Sequence, residues 1–535
     1  MKNILTFLCC LFLLGLTACN KEKEEIRPYS ILPEPQQIEY IKGSFNLKNK
    51  PTIAFPSELA GEAALANQYL SEDFSIQPVL KEGKKSGNIT LLVDASVLPE
   101  HPEGYVLDIQ SKKITIKANA PAGILYGIQT LRQLIGTSVE TGHAPSLQCG
   151  TITDYPAFSW RAFMIDESRH FQGKEIVFKL LDNMSQLKMN VLHWHLVDDP
   201  GWRIEIDKYP ELTNIGAYRD SSGVDYWKSG RFDGIPHGGF YTKNEIREIV
   251  AYAAARHINV MPEIEFPGHA TAAIASYPWL GTTGKQLKVS CDYGGYDIFN
   301  MADPRVVDFF HDVLTELIEL FPYQVIHIGG DETNYDFWKN SPIAVQYMKE
   351  NGLKTPADLQ VKTTNDMSQW LADHNRRMMG WTEITGAKIH AWQNREDNVT
   401  EQHLAPGTIV HFWQGDQDLL KKTVSDGYDV VNSFHEYTYL DYSYESIPLE
   451  KSYSFSPIPE GLTPEQEKRI LGLGCQMWTE WVPNEQKLHY QVYPRIAAYA
   501  EVGWTAPEKK DYNRFQESLK YFLNNWEKQG IKVGH

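Results

Sequence analysis

The sequence predicts an α/β protein, a (β/α)8 TIM barrel preceded by a small α+β domain. Three observations predict it. From residue 151 onward, eight short apolar β-type segments recur, each followed by a loop rich in acids and aromatics and then by a helical stretch. Before them, residues 27–150 mix strand-like runs with amphipathic helical stretches. Finally, 535 residues with 42% hydrophobic and 12% aromatic side chains are ample for more than one packed core.

The elements follow in order. MKNILTFLCCLFLLGLTAC opens on Lys2, and its apolar run from Ile4 to Leu16 is too short to span a bilayer comfortably, so residues 1–18 are expected to be an export signal peptide. Leu16, Thr17, Ala18 and Cys19 resemble a bacterial lipobox, in which Cys19 is acylated and becomes the mature N-terminus; a plain signal peptide cut nearby is the alternative. Residues 19–26 then form a lipidated polar tether. The expected location is the cell envelope, outer membrane or periplasm or surface if the source is Gram-negative, with membrane contact only through that anchor. Beyond the leader the cysteines are Cys149, Cys291 and Cys475, without zinc-type spacing or a disulfide framework.

Residues 27–150, with GNITLLVDAS and GYVLDIQSKKITIKAN as strands and PAGILYGIQTLRQLI as a helix, read as an accessory domain, since they carry few paired acids. Residues 151–535 hold the barrel. Its strands are expected in WRAFMID, MNVLHWHLVDD, INVMPEIE, QVIHIGGDE, RMMGWTE, TIVHFWQ, YDVVNSF and LGLGCQMW, and residues 512–528 form a closing helix. With 68 acidic against 51 basic residues and a net charge of −17, the chain offers no phosphate-tracking surface, so nucleic acid is excluded as a partner.

A barrel of this kind keeps its chemistry at the C-terminal ends of the strands. Asp198, Asp199, Glu263, Glu265, Asp331, Glu332, Trp381, Glu383, Trp413, Trp478 and Glu480 all fall there. Acids with indoles suit a sugar-cleaving pocket, because carboxylates move protons and bind hydroxyls while aromatic faces cover the C–H face of a pyranose. In HIGGDE, Gly329 and Gly330 free the backbone so that both Asp331 and Glu332 reach one pocket, and a second carboxylate beside it keeps one member protonated as a general acid. HWHLVDDPGWR places His193 and His195 on one strand face. That pattern also suits zinc, but no third His or Cys ligand stands at matching spacing; the preferred reading is that both fill the barrel interior while only Asp198 or Asp199 reaches the site. In PEIEFPGHA, His269 lies between two acid-bearing strands, where it can bridge Asp198 and the general acid. Tyr439 and Asp441, in YTYLDYSY, sit in the loop after strand seven.

RAFMIDESRHF, HWHLVDDPGWRIEIDKYPELTNIGAYR, GGFYT, PEIEFPGHATAAIASYP, HIGGDE, YLD and WTE together resemble the β-N-acetylhexosaminidases of glycoside hydrolase family 20, over nearly the whole exported chain. The resemblance implies a retaining exo-enzyme that removes terminal GlcNAc or GalNAc through an oxazolinium ion formed by the substrate's own acetamide, with no metal or organic cofactor. It implies that Glu332 is general acid and base, that Asp331 accepts the acetamide N–H and that Tyr439 donates to the acetamide oxygen. It further implies a cage of Trp381, Trp413 and Trp478, with Arg161 and Glu480 on the non-reducing-end hydroxyls, Asp441 on the O4/O6 side, and Asp198 with His269 supporting Glu332. The polar stretch TEITGAKIHAWQNRED departs from the family pattern. Two other readings compete: a metal-dependent hydrolase around His193 and His195, and a non-catalytic glycan-binding lipoprotein.

Overall fold

A computed structural model describes residues 28–84, 86–140, 146–226, 229–291 and 296–535. The expected signal peptide, the lipidation site Cys19 and the tether lie outside these residues.

The N-terminal domain is a mixed sheet of seven strands: β1 (Gln37–Asn46), β2 (Thr52–Phe55), β3 (Val79–Glu82), β4 (Ile89–Val93), β5 (Tyr105–Gln110), β6 (Lys113–Ala118) and β7 (Ser146–Asp154). Their order is β1-β7-β5-β6-β4-β2-β3. Alternation in β5 and β6 turns Leu107, Ile109, Ile114 and Ile116 into a core shared with Ile124, Leu131 and Ile135 of the helix Pro121–Glu140. Strand β7 pairs with β1 and β5 as far as Asp154, so the domain ends there and not at residue 150 as the sequence suggested.

The eight expected segments close a parallel barrel: β8 (Trp160–Asp166), β9 (Val191–His195), β10 (Asn259–Glu263), β11 (Val325–His327), β12 (Arg377–Trp381), β13 (Ile409–Phe412), β14 (Asp429–Asn432) and β15 (Ile470–Met477), with β15 pairing back onto β8. Strands covered on both faces need largely apolar runs, as in the AFMI of the fully buried β8. The outer helices start at strong signals. Thr242 and Glu245 make a reciprocal capping box on Lys243–Ala254, and Asp303 caps Pro304–Leu320. The closing helix Tyr512–Lys528 buries Phe515, Leu519, Phe522 and Trp526, and the Trp526 indole donates to Asn183 Oδ1 at 2.7 Å.

The barrel interior is layered. Trp160, Val191, Met261, Val325, Met379, Ile409 and Val431 fill one apolar layer, and Met164, Trp381, Tyr439 and Trp478 form another. A polar group built on Glu263 is also fully buried. Its carboxylate lies 2.6 Å from His195 Nδ1, 2.7 Å from His193 Nε2 and 2.8 Å from His327 Nδ1, and it accepts from the Trp381 indole at 2.8 Å. The two histidines of HWH are thus buried in the barrel interior, and His195 Nε2 extends the chain to Asp198 at 3.0 Å.

Candidate active site

Beyond β11 the chain must turn both acids of HIGGDE into one pocket. Gly329 and Gly330 adopt φ of 66° and 99°, and a Cβ on Gly329 would lie 1.6 Å from Glu265 Oε2, so only glycine fits. Glu332 itself is left-handed, with φ of 48°, which separates its side chain from that of its neighbour. Asp331 is buried, and its Oδ1 has no hydrogen-bond partner among the described residues. A buried oxygen of this kind is expensive unless a ligand completes it.

Glu332 stands at the opening, with 44% of its side chain exposed, between two imidazoles. His269 Nε2 is 3.8 Å from one carboxyl oxygen and His390 Nε2 is 3.9 Å from the other. Burial against the pocket wall raises the Glu332 carboxyl above the usual range; Asp331 and Glu383 add repulsion, while both histidines oppose it. His269 also lies 3.6 Å from Asp331 and binds Asp198 through Nδ1 at 3.0 Å. Its burial favours the neutral ring, but Asp198 and Asp331 outweigh that and hold it well above the usual histidine range. Asp198 receives Arg169 Nη2 at 2.7 Å besides His195 and His269. Despite its burial, Arg169 and His269 hold it far below the ordinary carboxylate range. His269 thus lies between Asp198 and the acid pair.

The aromatic residues gather beside it. Trp381 is fully buried under Trp413 and Trp478, at ring separations of 6.5 and 5.9 Å. Tyr439 stacks parallel to Trp413 at 6.0 Å and leans on Trp478 at 5.9 Å. Glu383 accepts from the Trp413 indole at 2.9 Å and lies 3.0 Å from His390, which fixes both rings. Burial, then the charge of Asp331, raises the Tyr439 phenol well above its usual range, so it stays a donor. Asp441 and Glu480 lie close enough to repel one another. Burial raises both carboxyls, Glu480 adding to the effect at Asp441 and Arg169 opposing it at Glu480.

One expected residue is elsewhere. Arg161 is the second residue of β8, at the barrel's N-terminal end, and is fully buried against the N-terminal domain. Its guanidinium reaches Glu103 at 2.7 Å, the Phe158 carbonyl at 2.7 Å and the Lys188 carbonyl at 2.8 Å. The arginine at the pocket is Arg169, beyond the C-terminal end of the same strand. It lies 3.7 Å from Glu480 and over the Trp478 ring at 4.9 Å. Strand polarity was the signal that distinguishes the two. His390, in the stretch that departs from the family pattern, was also missed.

Three groups bring three possible metal ligands together among the described residues: His193, Glu263 and His327; His195, Glu263 and Glu265; and Asp198, Asp199 and His269. In each, the histidines already face the carboxylates at contact distance. Among the described residues, no two of Cys149, Cys291 and Cys475 are joined by a disulfide.

The catalytic-domain profile of glycosyl hydrolase family 20 matches residues 158–507, and that family's domain 2 matches residues 28–155. The chain belongs to glycosyl hydrolase family 20. It is a glycoside hydrolase of the β-N-acetylhexosaminidase type. A β-hexosaminidase of Porphyromonas gingivalis is 33% identical over 97% of this chain and 67% of its own length, and one of Vibrio furnissii is 34% identical over 92% and 80%. Among solved structures, a Bacteroides fragilis β-N-acetylhexosaminidase matches with a TM-score of 0.79 at 30% identity, covering 94% of this chain and 96% of that one. A family 20 exo-β-N-acetylglucosaminidase of Vibrio harveyi, solved with N-acetylglucosamine, matches with a TM-score of 0.81 at 28% identity, covering 96% and 80%.

Proposed function

We propose that this family 20 enzyme removes terminal, non-reducing GlcNAc or GalNAc from glycans with retention, the substrate's acetamide serving as nucleophile. The supporting observation is the unpartnered Asp331 Oδ1 beside Tyr439 and the indole cage. An acetamide suits all three surroundings: its N–H meets Asp331, its oxygen meets the Tyr439 hydroxyl and its methyl packs among Trp381, Trp413 and Trp478.

In the first step the acetamide oxygen bonds to the anomeric carbon as the bond to the leaving oxygen breaks, and Glu332 gives that oxygen its proton. Asp331 orients the group and balances the positive charge of the oxazolinium. In the second step Glu332 takes a proton from water, the resulting hydroxyl bonds to the anomeric carbon and the ring reopens. Two displacements at one carbon preserve its configuration. Asp198 and His269 hold a positive charge beside Glu332 when it is ionised. Arg169 and Glu480, with Asp441, grip the hydroxyls of the terminal sugar, which limits cleavage to chain ends. The leader supports export, with Cys19 as a lipid anchor at the cell envelope.

Paired aryl glycosides with and without the 2-acetamido group test this reading. Wild type should cleave only the acetamido member, and Glu332→Gln should lose about 100- to 10,000-fold on an unactivated glycan. Equal cleavage of both members would refute the assisted mechanism.

A further inference from the structure

Large aromatic rings are costly to leave in water and tend to mark ligand surfaces when they cluster. Among the described residues, the exposed large aromatics are Tyr218, Tyr226, Phe232, Tyr296 and Trp392, and all but Tyr218 line one cavity of about 940 Å³. The same cavity reaches Glu332, His269, Arg169 and Glu480. It is larger than a single pyranose requires.

Two of these rings are held by residues around Glu332. Trp392, 56% exposed, stacks on His390 at 5.3 Å with the planes 14° apart, and His390 faces Glu332 at 3.9 Å. The Tyr296 hydroxyl accepts from Asn334 Nδ2 at 2.9 Å, two residues beyond Glu332. The general acid must stand beside the glycosidic oxygen, which departs with the leaving group. Rings attached to the surroundings of Glu332 therefore lie on the leaving-group side, while Arg169 and Glu480 belong to the non-reducing end. Trp392 comes from the loop that follows β12.

We propose that Trp392, with Tyr296, forms a leaving-group subsite that stacks a pyranose, so that the favoured substrates are oligosaccharides and not simple glycosides. This rests on the exo-hexosaminidase reading above. An indole presents a broad apolar face to the C–H face of a sugar without needing a partner for every hydroxyl.

The test compares chitotriose with methyl 2-acetamido-2-deoxy-β-glucopyranoside, which lacks a leaving-group ring. Wild type should show the higher kcat/KM on chitotriose. Trp392→Ala should lower that value roughly tenfold, through KM, and lower the methyl glycoside value far less, the loss of one ring contact being worth about one decade. Trp392→Phe should recover most of it. An equal loss on both substrates, or no loss on chitotriose, overturns the subsite. A wild type that cleaves neither substrate overturns the functional reading itself, and the subsite with it.

Discussion

Asp331 and Glu332 are adjacent in sequence yet have different surroundings. Asp331 is buried with one oxygen unpartnered, whereas Glu332 sits at the mouth between His269 and His390. The difference follows from three left-handed residues within four positions, Gly329, Gly330 and Glu332. In Asp331→Asn the side chain keeps its size but loses its charge and can turn an N–H toward the acetamide N–H. Turnover of 2-acetamido substrates should fall about 100- to 1,000-fold, the usual cost of one preorganised electrostatic partner. Kinetics on a matched plain glucoside check the assignment, since an equal loss there would mean that Asp331 does not act through the acetamide.

Strand β8 shows how one element serves two ends of a barrel. Arg161 at its start joins the N-terminal domain through Glu103, and Arg169 past its end joins Asp198 and Glu480. Substitution should separate the two tasks. Arg161→Met leaves Glu103 largely buried without its cation, at a cost of about 3 kcal/mol, and should lower Tm while the folded enzyme keeps its kcat/KM. Arg169→Met removes charged contacts at the pocket and should lower kcat/KM roughly 10- to 150-fold. Thermal melts and steady-state kinetics on both variants decide it; activity lost in Arg161→Met at full stability would return that residue to the site. The sequence pattern made all eight strands legible, because period and turn chemistry are local. Which of two arginines eight positions apart in RAFMIDESR meets the substrate was readable only through strand polarity.

Across the whole molecule, a line of alternating charges runs from Glu263 through His195, Asp198 and His269 to the acid pair. In the folded state His269 is held well above its ordinary value of 6.5, and Asp198 is held below its ordinary 3.8, each by partners that outweigh burial. The raised histidine keeps its proton in the folded chain after the unfolded chain has lost it. Its contribution is therefore complete below about pH 6.5 and declines as pH rises toward the folded value. The depressed aspartate contributes fully above about pH 4 and loses its contribution as pH falls further. The urea midpoint of wild type should accordingly drop more steeply between pH 6 and 8.5 than that of His269→Asn, and parallel declines would show that the pair does not couple to folding.

The sequence by itself determined the barrel, the accessory domain before it, the acid pair and most of the aromatic cage. These depend on hydrophobic period, glycine placement and residue types at strand ends, all of which are local properties of the chain. Only the tertiary structure decided that β7 carries the first domain to Asp154, that Arg169 replaces Arg161 at the pocket, and that His390, with Trp392 stacked on it, faces Glu332. Those facts depend on strand direction and on which loops close over the same barrel end. Residues more than fifty positions apart meet there because the barrel closes, and no local pattern encodes which of them meet.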